Sequence, residues 1–398
     1  MCCGVTIGDM ATNRRPGSQG ALRAANQARV VQALRAAPAT QSEIAERTGL
    51  AHATVSNIVR DLRERGAVST QPTVHQGRRA SLVTLERAEG PTVVGIDFGR
   101  QHVRIAVAAD DPVVLVEDEV VLPVGHRADD SLAIAAERLD ELLEEAGLQR
   151  GSVAAICVGV PCPIDLRTGA ILGHSILPEW DGVTQDRISE AFGMPVELAN
   201  DSDLGAIAER AFGSYGEVDD LIFVKLGTGI GSGLVIGGRL HRGSFGIAGE
   251  LGHVQVDPAG TLCVCGSRGC LETLASVRVM AQSLSAVFGR PISSADIVRQ
   301  ALAGDPATRR VVADAGAAIG RAIANAANLL APAVVVVGGP LAELGDLLLE
   351  PVRDGFERFA LHALTTSTRI VGTSLGSRAE VLGAVTLARQ SAKAAAFI

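Results

Sequence analysis

Apolar residues recur at helical spacing from Leu22 through Val30, Val31 and Leu34 until Pro38 interrupts the run, which predicts a first helix ending there. Thr40-Gln41-Ser42-Glu43 has the form of a capping box, so a short second helix starts at that point and stops before Gly49. After the Gly49-Leu50-Ala51 link, Val55, Ile58, Val59 and Leu62 share one face of a third helix that ends at Gly66. Val68 to Thr73 and Ser81 to Leu85 then alternate as a hairpin, with Gly77-Arg78-Arg79 at its tip. Helix, three-residue turn, helix and hairpin predict a winged helix-turn-helix over residues 21–86, behind a stretch at 1–20 expected to be disordered.

The pattern changes after a linker at 87–91, where charge, Gly90 and Pro91 break the periodicity. Val93 to Gly99 reads as a buried strand running into a tight turn, followed by strands at Val103 to Ala108 and Val113 to Leu122 and an amphipathic helix over Ser131 to Ala146. Further strands are predicted at Val153 to Val160, Val196 to Asp201, Leu221 to Leu226 and, after a glycine-rich break, Leu234 to Ile236. An alanine-rich helix from Ala313 to Leu330 ends at Pro332 and feeds Val334 to Val337 and the pair Gly338-Gly339. Alternation of strands and helices over 92–398 predicts an α/β body.

Length, at 398 residues, calls for more than one domain. The formal charge of −8 is uneven: residues 1–90 hold twelve arginines, no lysine and seven acids, a net +5, which leaves −13 on the rest. A cationic head suits a phosphate backbone, and an acidic body discourages nonspecific wrapping. Seven cysteines, three of them in one motif, point to reduced cytosol rather than a disulfide scaffold. No apolar run approaches the ~20 residues of a membrane helix, so a cytoplasmic protein with no membrane partner is expected. Met10 is an alternative start to Met1.

Candidate chemistry falls in three places. The outward face of the third helix carries His52, Thr54, Ser56, Asn57 and Arg60, side chains able to reach base edges or phosphates of double-stranded DNA, with Arg78 and Arg79 of the wing able to enter a minor groove. Ala51 departs from the usual serine or threonine cap and should weaken that helix start by roughly 1 kcal/mol. Gly249-Glu250-Leu251-Gly252-His253 is followed by Cys263, Cys265 and Cys270, the ligand count and type of a closed tetrahedral zinc site, bracketed by Glu250 and Glu272. The run Gly227 to Gly233 lets backbone approach a ligand closely, although strand, glycine turn, strand is also what a plain hairpin gives, and no helix follows to make it a Rossmann turn.

The zinc block matches the ExGH…CxCGxxGCxE signature, and with it residues 92–390 resemble the ROK group (repressors, open reading frames and sugar kinases). The resemblance implies the two-lobed actin-like ATPase, or sugar-kinase-like, fold behind a winged head. It implies structural Zn2+ on His253, Cys263, Cys265 and Cys270, and sugar contacts from Asn200, Asp201, Glu250, His253 and Glu272. In family kinases the aspartate at the position of Asp201 is the general base, so Asp201 is the catalytic residue if phosphoryl transfer is retained. Asp97, Gly99, Gly227, Thr228, Gly229, Gly338 and Gly339 match phosphate- and adenosine-facing positions. The first phosphate loop departs from the kinase form Asp-x-Gly-Gly-Thr: Arg100 and Gln101 replace the second glycine and the threonine, which opposes productive binding of ATP and Mg2+. Cys162 stands where many relatives have glycine.

The resemblance therefore implies a sugar-responsive, DNA-binding transcriptional regulator of the repressor type, a homodimer or tetramer on operator DNA, more than an enzyme. The alternative is an ATP-dependent, glucokinase-like sugar kinase, alone or combined with regulation.

Overall fold

The computed structural model describes residues 26, 29–30, 33–34, 37–64, 68–75, 78–85, 91–109, 114–173 and 176–395. The chain divides into two compact units, Met1–Glu89 and Gly90–Ile398. In the first, Asn26, Arg29, Val30, Ala33 and Leu34 are helical, with Val30 and Leu34 buried. Leu22 and Val31 of the predicted run lie outside the described residues, as do 1–20 and 87–90.

β1 (Ala39–Thr40) leads into the helix Gln41–Thr48, where both arms of the capping box form. Thr40 Oγ1 accepts from the Glu43 amide at 3.3 Å, and Glu43 Oε2 accepts from the Thr40 amide at 2.7 Å. Gly49, at φ 67°, ends this helix in the left-handed conformation that glycine adopts without strain. The helix His52–Glu64 buries Val55, Ile58, Val59 and Leu62, and the Ala51 carbonyl accepts its first-turn bond from Val55 N at 3.1 Å. β2 (Val68–His75) and β3 (Arg78–Leu85) form the hairpin, with His75 opposite Arg78. The hairpin is longer than its alternation shows, so Arg78 and Arg79 open the returning strand instead of forming the tip. β1 adds to β3, Ala39 opposite Val83, making a three-stranded sheet; two residues carry no period by which to predict that edge.

The second unit holds two sheets of one plan. β4 (Thr92–Phe98), β5 (His102–Ala108) and β6 (Val114–Val121) form an antiparallel meander, and β7 (Val153–Val160) and β10 (Val196–Asn200) continue parallel on the other side of β4. A ribbon of β8 (Ile164–Asp165) and β9 (Ala170–Ile171) lies between β7 and β10 in sequence. β11 (Leu221–Leu226), β12 (Ile230–Ile236) and β13 (Arg239–Leu240) repeat the meander, with β14 (Val334–Gly338) and β15 (Arg369–Gly372) parallel beyond β11. β12 begins at Ile230, earlier than predicted, because the glycines pair across the hairpin: Lys225 opposite Gly231 and Phe223 opposite Gly233. Each lobe has its own apolar core, the first holding Trp180 and Phe98, the second packed under the 25-residue helix Pro306–Leu330.

Two helices join the lobes. Asp201–Ala211 follows the last strand of the first sheet yet packs on the second, where a Cβ on Gly205 would lie 2.2 Å from the Phe223 ring. Ala379–Ala395 follows the last strand of the second sheet and packs on the first, where a Cβ on Gly95 would meet the Val381 carbonyl at 2.6 Å. The helices also touch each other: a Cβ on Gly383 would lie 2.0 Å from the Leu204 carbonyl. Asp201, predicted as a strand end, is thus the first residue of a helix, because Asn200 caps it through bonds from Ser202 N at 2.9 Å and Asp203 N at 3.4 Å.

Glu209 on the first of these helices is fully buried; Thr373 Oγ1 donates to its Oε1, and its Oε2 has no hydrogen-bond partner among the described residues. Burial pushes its carboxyl up to about 7. A carboxyl raised in the folded state holds its proton more tightly than in the unfolded chain, so stability is full below the ordinary carboxylate value and falls as pH climbs through about 7. Glu209→Gln should flatten the dependence of melting temperature on pH between 5 and 7.5 and leave the variant more stable than the parent at pH 8, by on the order of 3 kcal/mol at most. Equal slopes for variant and parent would show that Glu209 ionises freely in the fold.

Candidate functional site

A cleft of about 260 Å³ opens where the two sheets face the N-termini of the joining helices. Gly99, Arg100, Gln101 and His102 line it from the β4–β5 turn, Asn200, Asp201 and Ser202 from the helix start, and Gly227, Thr228 and Gly229 from the β11–β12 turn. Glu250, His253 and Glu272 close it on the side of the cysteine motif. All five residues predicted for sugar contact therefore share one cavity, together with Asp201 as the candidate base.

Each is held by local structure. Asn200 spends Oδ1 on the helix cap, and its Nδ2 donates to the Cys162 carbonyl at 3.1 Å. Asp201 is 5% exposed; Oδ1 accepts from Ser202 Oγ at 3.1 Å and Oδ2 from Lys225 Nζ at 2.7 Å. Glu272 Oε2 accepts from Ile230 N at 3.4 Å, and a Cβ on Gly229 would come within 2.6 Å of it, so the tight turn lets this carboxylate reach the cleft. Burial, then the nearby Asp201 and Glu272, push Glu250 up to about 7. Cys162 is buried and its thiol is pushed up to about 12, chiefly by that burial, which makes it an inert packing group.

The cysteine motif forms a knot. Cys263 N donates to Ser267 O at 2.7 Å, Gly269 N to Thr261 O at 2.8 Å, and Val256 N to Gly269 O at 2.8 Å. One ligand atom each from His253, Cys263, Cys265 and Cys270 lies within 4.8 Å of the others, a cluster that could hold a metal ion. Cys265 Sγ and Cys270 Sγ are 3.7 Å apart and Cys263 Sγ and His253 Nδ1 are 3.6 Å apart. Tetrahedral zinc with ordinary bond lengths separates two sulfurs by about 3.8 Å and sulfur from nitrogen by about 3.5 Å. The other ring nitrogen of His253, Nε2, faces Glu250 Oε2 at 3.7 Å.

The phosphate-loop positions divide. Gly227, Thr228, Gly229, Gly99 and Arg100 line the cleft. Gly338 and Gly339 are explained by packing, since a Cβ on Gly338 would strike the Phe223 ring at 2.4 Å and one on Gly339, at φ 92°, the Leu226 carbonyl at 2.1 Å. In the β4–β5 turn, Gly99 N donates to His102 O at 2.9 Å, and a Cβ on Gly99 would collide with the His102 ring. His102 Nε2 lies 3.4 Å from Asp97 Oδ2. Three residues here escaped the sequence reading: His102, Lys225 and Glu380. Lys225 Nζ lies 3.1 Å from Glu380 Oε1, and its signal was a lone charge in the apolar strand Leu221–Leu226.

In the first unit, His52, Ser56, Asn57 and Arg60 are exposed and Thr54 is half-buried on the helix His52–Glu64, opposite its buried face. Arg78 and Arg79 lie at the start of β3.

A winged helix-turn-helix and a two-lobed, sugar-kinase-like α/β body are thus combined in one chain. It belongs to the ROK family, whose sequence profile matches residues 93–391, while a MarR family profile matches residues 23–79. The DNA-binding transcriptional dual regulator NagC of Escherichia coli (strain K12) is 30% identical over 89% of this chain and 89% of its own. A solved ROK family transcriptional regulator, described as a homolog of the E. coli MLC protein, superposes with a TM-score of 0.66 at 27% identity, covering 94% of this chain and 97% of that one. A ROK family glucokinase from Streptomyces griseus, solved with glucose and AMPPNP, gives a TM-score of 0.67 at 29% identity over 75% of this chain and 99% of its own.

The knot distinguishes two glycines. Gly269, at φ 65°, has no room for a Cβ, which would lie 1.5 Å from the Asp257 carbonyl, whereas Gly266, at φ 87°, has open space around it. Gly266→Ala should cost only about 1–2 kcal/mol, and Gly269→Ala clearly more, read as loss of melting temperature. Equal losses would mean that the Asp257 contact is not tight in solution.

Proposed function

We propose that this protein is a sugar-responsive, DNA-binding transcriptional repressor that works in the cytoplasm as a homodimer or tetramer. One observation carries the reading: the polar set suited to sugar hydroxyls is complete in the cleft, while the carboxylates a kinase would need are bonded to the chain's own side chains. Asn200, Asp201, Glu250, His253 and Glu272 offer carboxylates, an amide and an imidazole, the groups that recognise vicinal hydroxyls by paired hydrogen bonds. His52, Thr54, Ser56, Asn57 and Arg60, with Arg78 and Arg79 from the wing, meet operator DNA, Asn57 and Arg60 reading base edges. Two heads on a symmetric oligomer require a roughly palindromic operator with half-sites about one helical turn or a multiple apart.

Zinc fits the donor set of His253, Cys263, Cys265 and Cys270, and it would serve as a cross-link that fixes the knot carrying Glu250 and Glu272. His253 would ligate through Nδ1, leaving Nε2 toward Glu250 and the sugar. Mg2+ and ATP do not fit: Arg100 and Gln101 occupy the first loop, and Asp97 and Asp201 face His102 and Lys225. The kinase reading is supported by Asp201 in the cleft and by the likeness to a glucokinase, and it is decided by ADP release with magnesium ATP across hexoses, pentoses and amino sugars. The expected result is no turnover above that of Asp201→Asn; sugar-dependent turnover that the variant lacks would make the protein a kinase.

The repressor reading is tested by operator binding. Arg60→Ala should weaken binding to the operator by at least about tenfold, leaving sugar binding intact, and one sugar of the panel should change the operator affinity of the parent. Stripping the metal with a chelator should lower the melting temperature and abolish sugar binding; a stripped protein that melts and binds as before would remove the zinc assignment.

A further inference from the structure

Lys225 is the group on the cleft floor for which sugar recognition gives no reason. It stands on β11 among five buried apolar residues and is itself 18% exposed at the side chain. The chain has two lysines among its 36 basic residues, so arginine is the ordinary cation here and an ammonium is the exception. Nζ donates to Asp201 Oδ2 at 2.7 Å and lies 3.1 Å from Glu380 Oε1, while Asp97 acts on it as a third carboxylate. These groups come from both lobes: Asp97 from the first sheet, Lys225 from the second, and Asp201 and Glu380 from the first turns of the two joining helices. Asp97 Oδ1 is buried with no hydrogen-bond partner among the described residues, and the carboxylate is balanced by Lys225 first and by His102 and Arg104 after it.

Several carboxylates converging from separate elements on one compact, hard positive charge is how proteins also hold a divalent cation. An ammonium, small and with three donors, can take that place, whereas the broad planar fork of arginine cannot. We propose that Lys225 is a tethered cation that replaces a metal–nucleotide pair as the charge joining the two lobes, and that it positions Asp201 so that the cleft takes a sugar with no second ligand. Lys225 acts through Asp201 and is a positioning residue. The last part of the proposal rests on the sugar reading; the cation part does not.

The experiment compares the zinc-loaded parent with Lys225→Ala, Lys225→Arg and the double variant Lys225→Ala/Asp97→Asn. Calorimetric titration with Mn2+ needs no sugar: Lys225→Ala should take up one equivalent more than the parent, and the double variant should lose it. Sugar affinity should fall by about tenfold or more in Lys225→Ala and return toward the parent's value with ethylammonium or Mn2+, while Lys225→Arg, whose head does not fit, should stay impaired. A folded Lys225→Ala that gains no Mn2+ site overturns the cation role, and one whose sugar affinity is unchanged overturns the positioning of Asp201. If no sugar of the panel binds even the parent, the sugar reading fails and the Mn2+ count still decides the cation role. If Lys225→Ala does not fold, the parent decides: magnesium ATP that binds in its cleft or alters its sugar affinity overturns the proposal, and the absence of both effects supports it.

Discussion

The body depends on two helices approaching each other and the sheets at backbone contact. Gly383 against the Leu204 carbonyl, Gly205 against Phe223 and Gly95 against the Val381 carbonyl leave no room for a single Cβ at any of the three places. Small residues at a helix crossing let dispersion contacts act between backbones, and a close-packed interior has little slack to absorb an added atom. The consequence reaches the cleft. Asp201 and Glu380 occupy the first two positions of the two helices, so fixing the crossing fixes both carboxylates over β11, where Lys225 lies between them.

The glycines of the β11–β12 hairpin serve the same packing. A Cβ on Gly231 would strike Ser202 Oγ at 2.3 Å and one on Gly233 the Ser202 carbonyl at 2.3 Å, so these two make way for the helix Asp201–Ala211. Gly227 and Gly229, at the turn itself, face the cleft. A glycine-rich run that looks like one phosphate-binding device therefore serves two ends: Gly233 clears the helix, Gly227 and Gly229 open the cleft, and Gly231 does both. The cysteine knot plays the corresponding part on the other wall. Leu251, Val256 and Leu271 anchor it to the core of the second lobe, and its turns hold together by backbone bonds, to which zinc would add a cross-link; that suits a segment that carries Glu250 and Glu272 to the cleft.

Much of this was legible where one residue type has one physical use. The capping box at Thr40 and Glu43 and the buried stripe Val55, Ile58, Val59 and Leu62 follow from local pattern, whereas the set Asn200, Asp201, Glu250, His253 and Glu272, which shares one cavity, came from the family resemblance. The duplicated sheet plan was not legible, because topology repeats while the residues do not: β4 and β11 are both apolar strands, and nothing in their sequences says that each starts the same five-stranded order. Arg78 and Arg79 were misplaced by alternation that fades before the hairpin ends. Gly338 and Gly339 have a packing reason that the sequence hid, because a glycine demanded by a neighbouring strand and one demanded by a nucleotide are the same letter. Lys225 was visible as a charge in an apolar strand, but its meaning needs Asp97 and Glu380, which lie 128 residues before it and 155 after it.

The charge on the cleft floor also bears on how such a body could signal. A ligand shifts a conformational equilibrium only by the difference in its free energy of binding to the two states. Were the bridging charge to arrive with a nucleotide, part of any closure would be driven by that second ligand and would follow its concentration. With Lys225 built into β11 and bonded to Asp201, the bridge is present in the ligand-free chain. If the cleft takes a sugar as proposed, its hydroxyl contacts would then be the interactions left to distinguish one lobe arrangement from another. A regulator has reason to be built so, because its output should report one metabolite, and on the proposal above a cleft whose cation is covalently part of the strand would answer to the sugar alone.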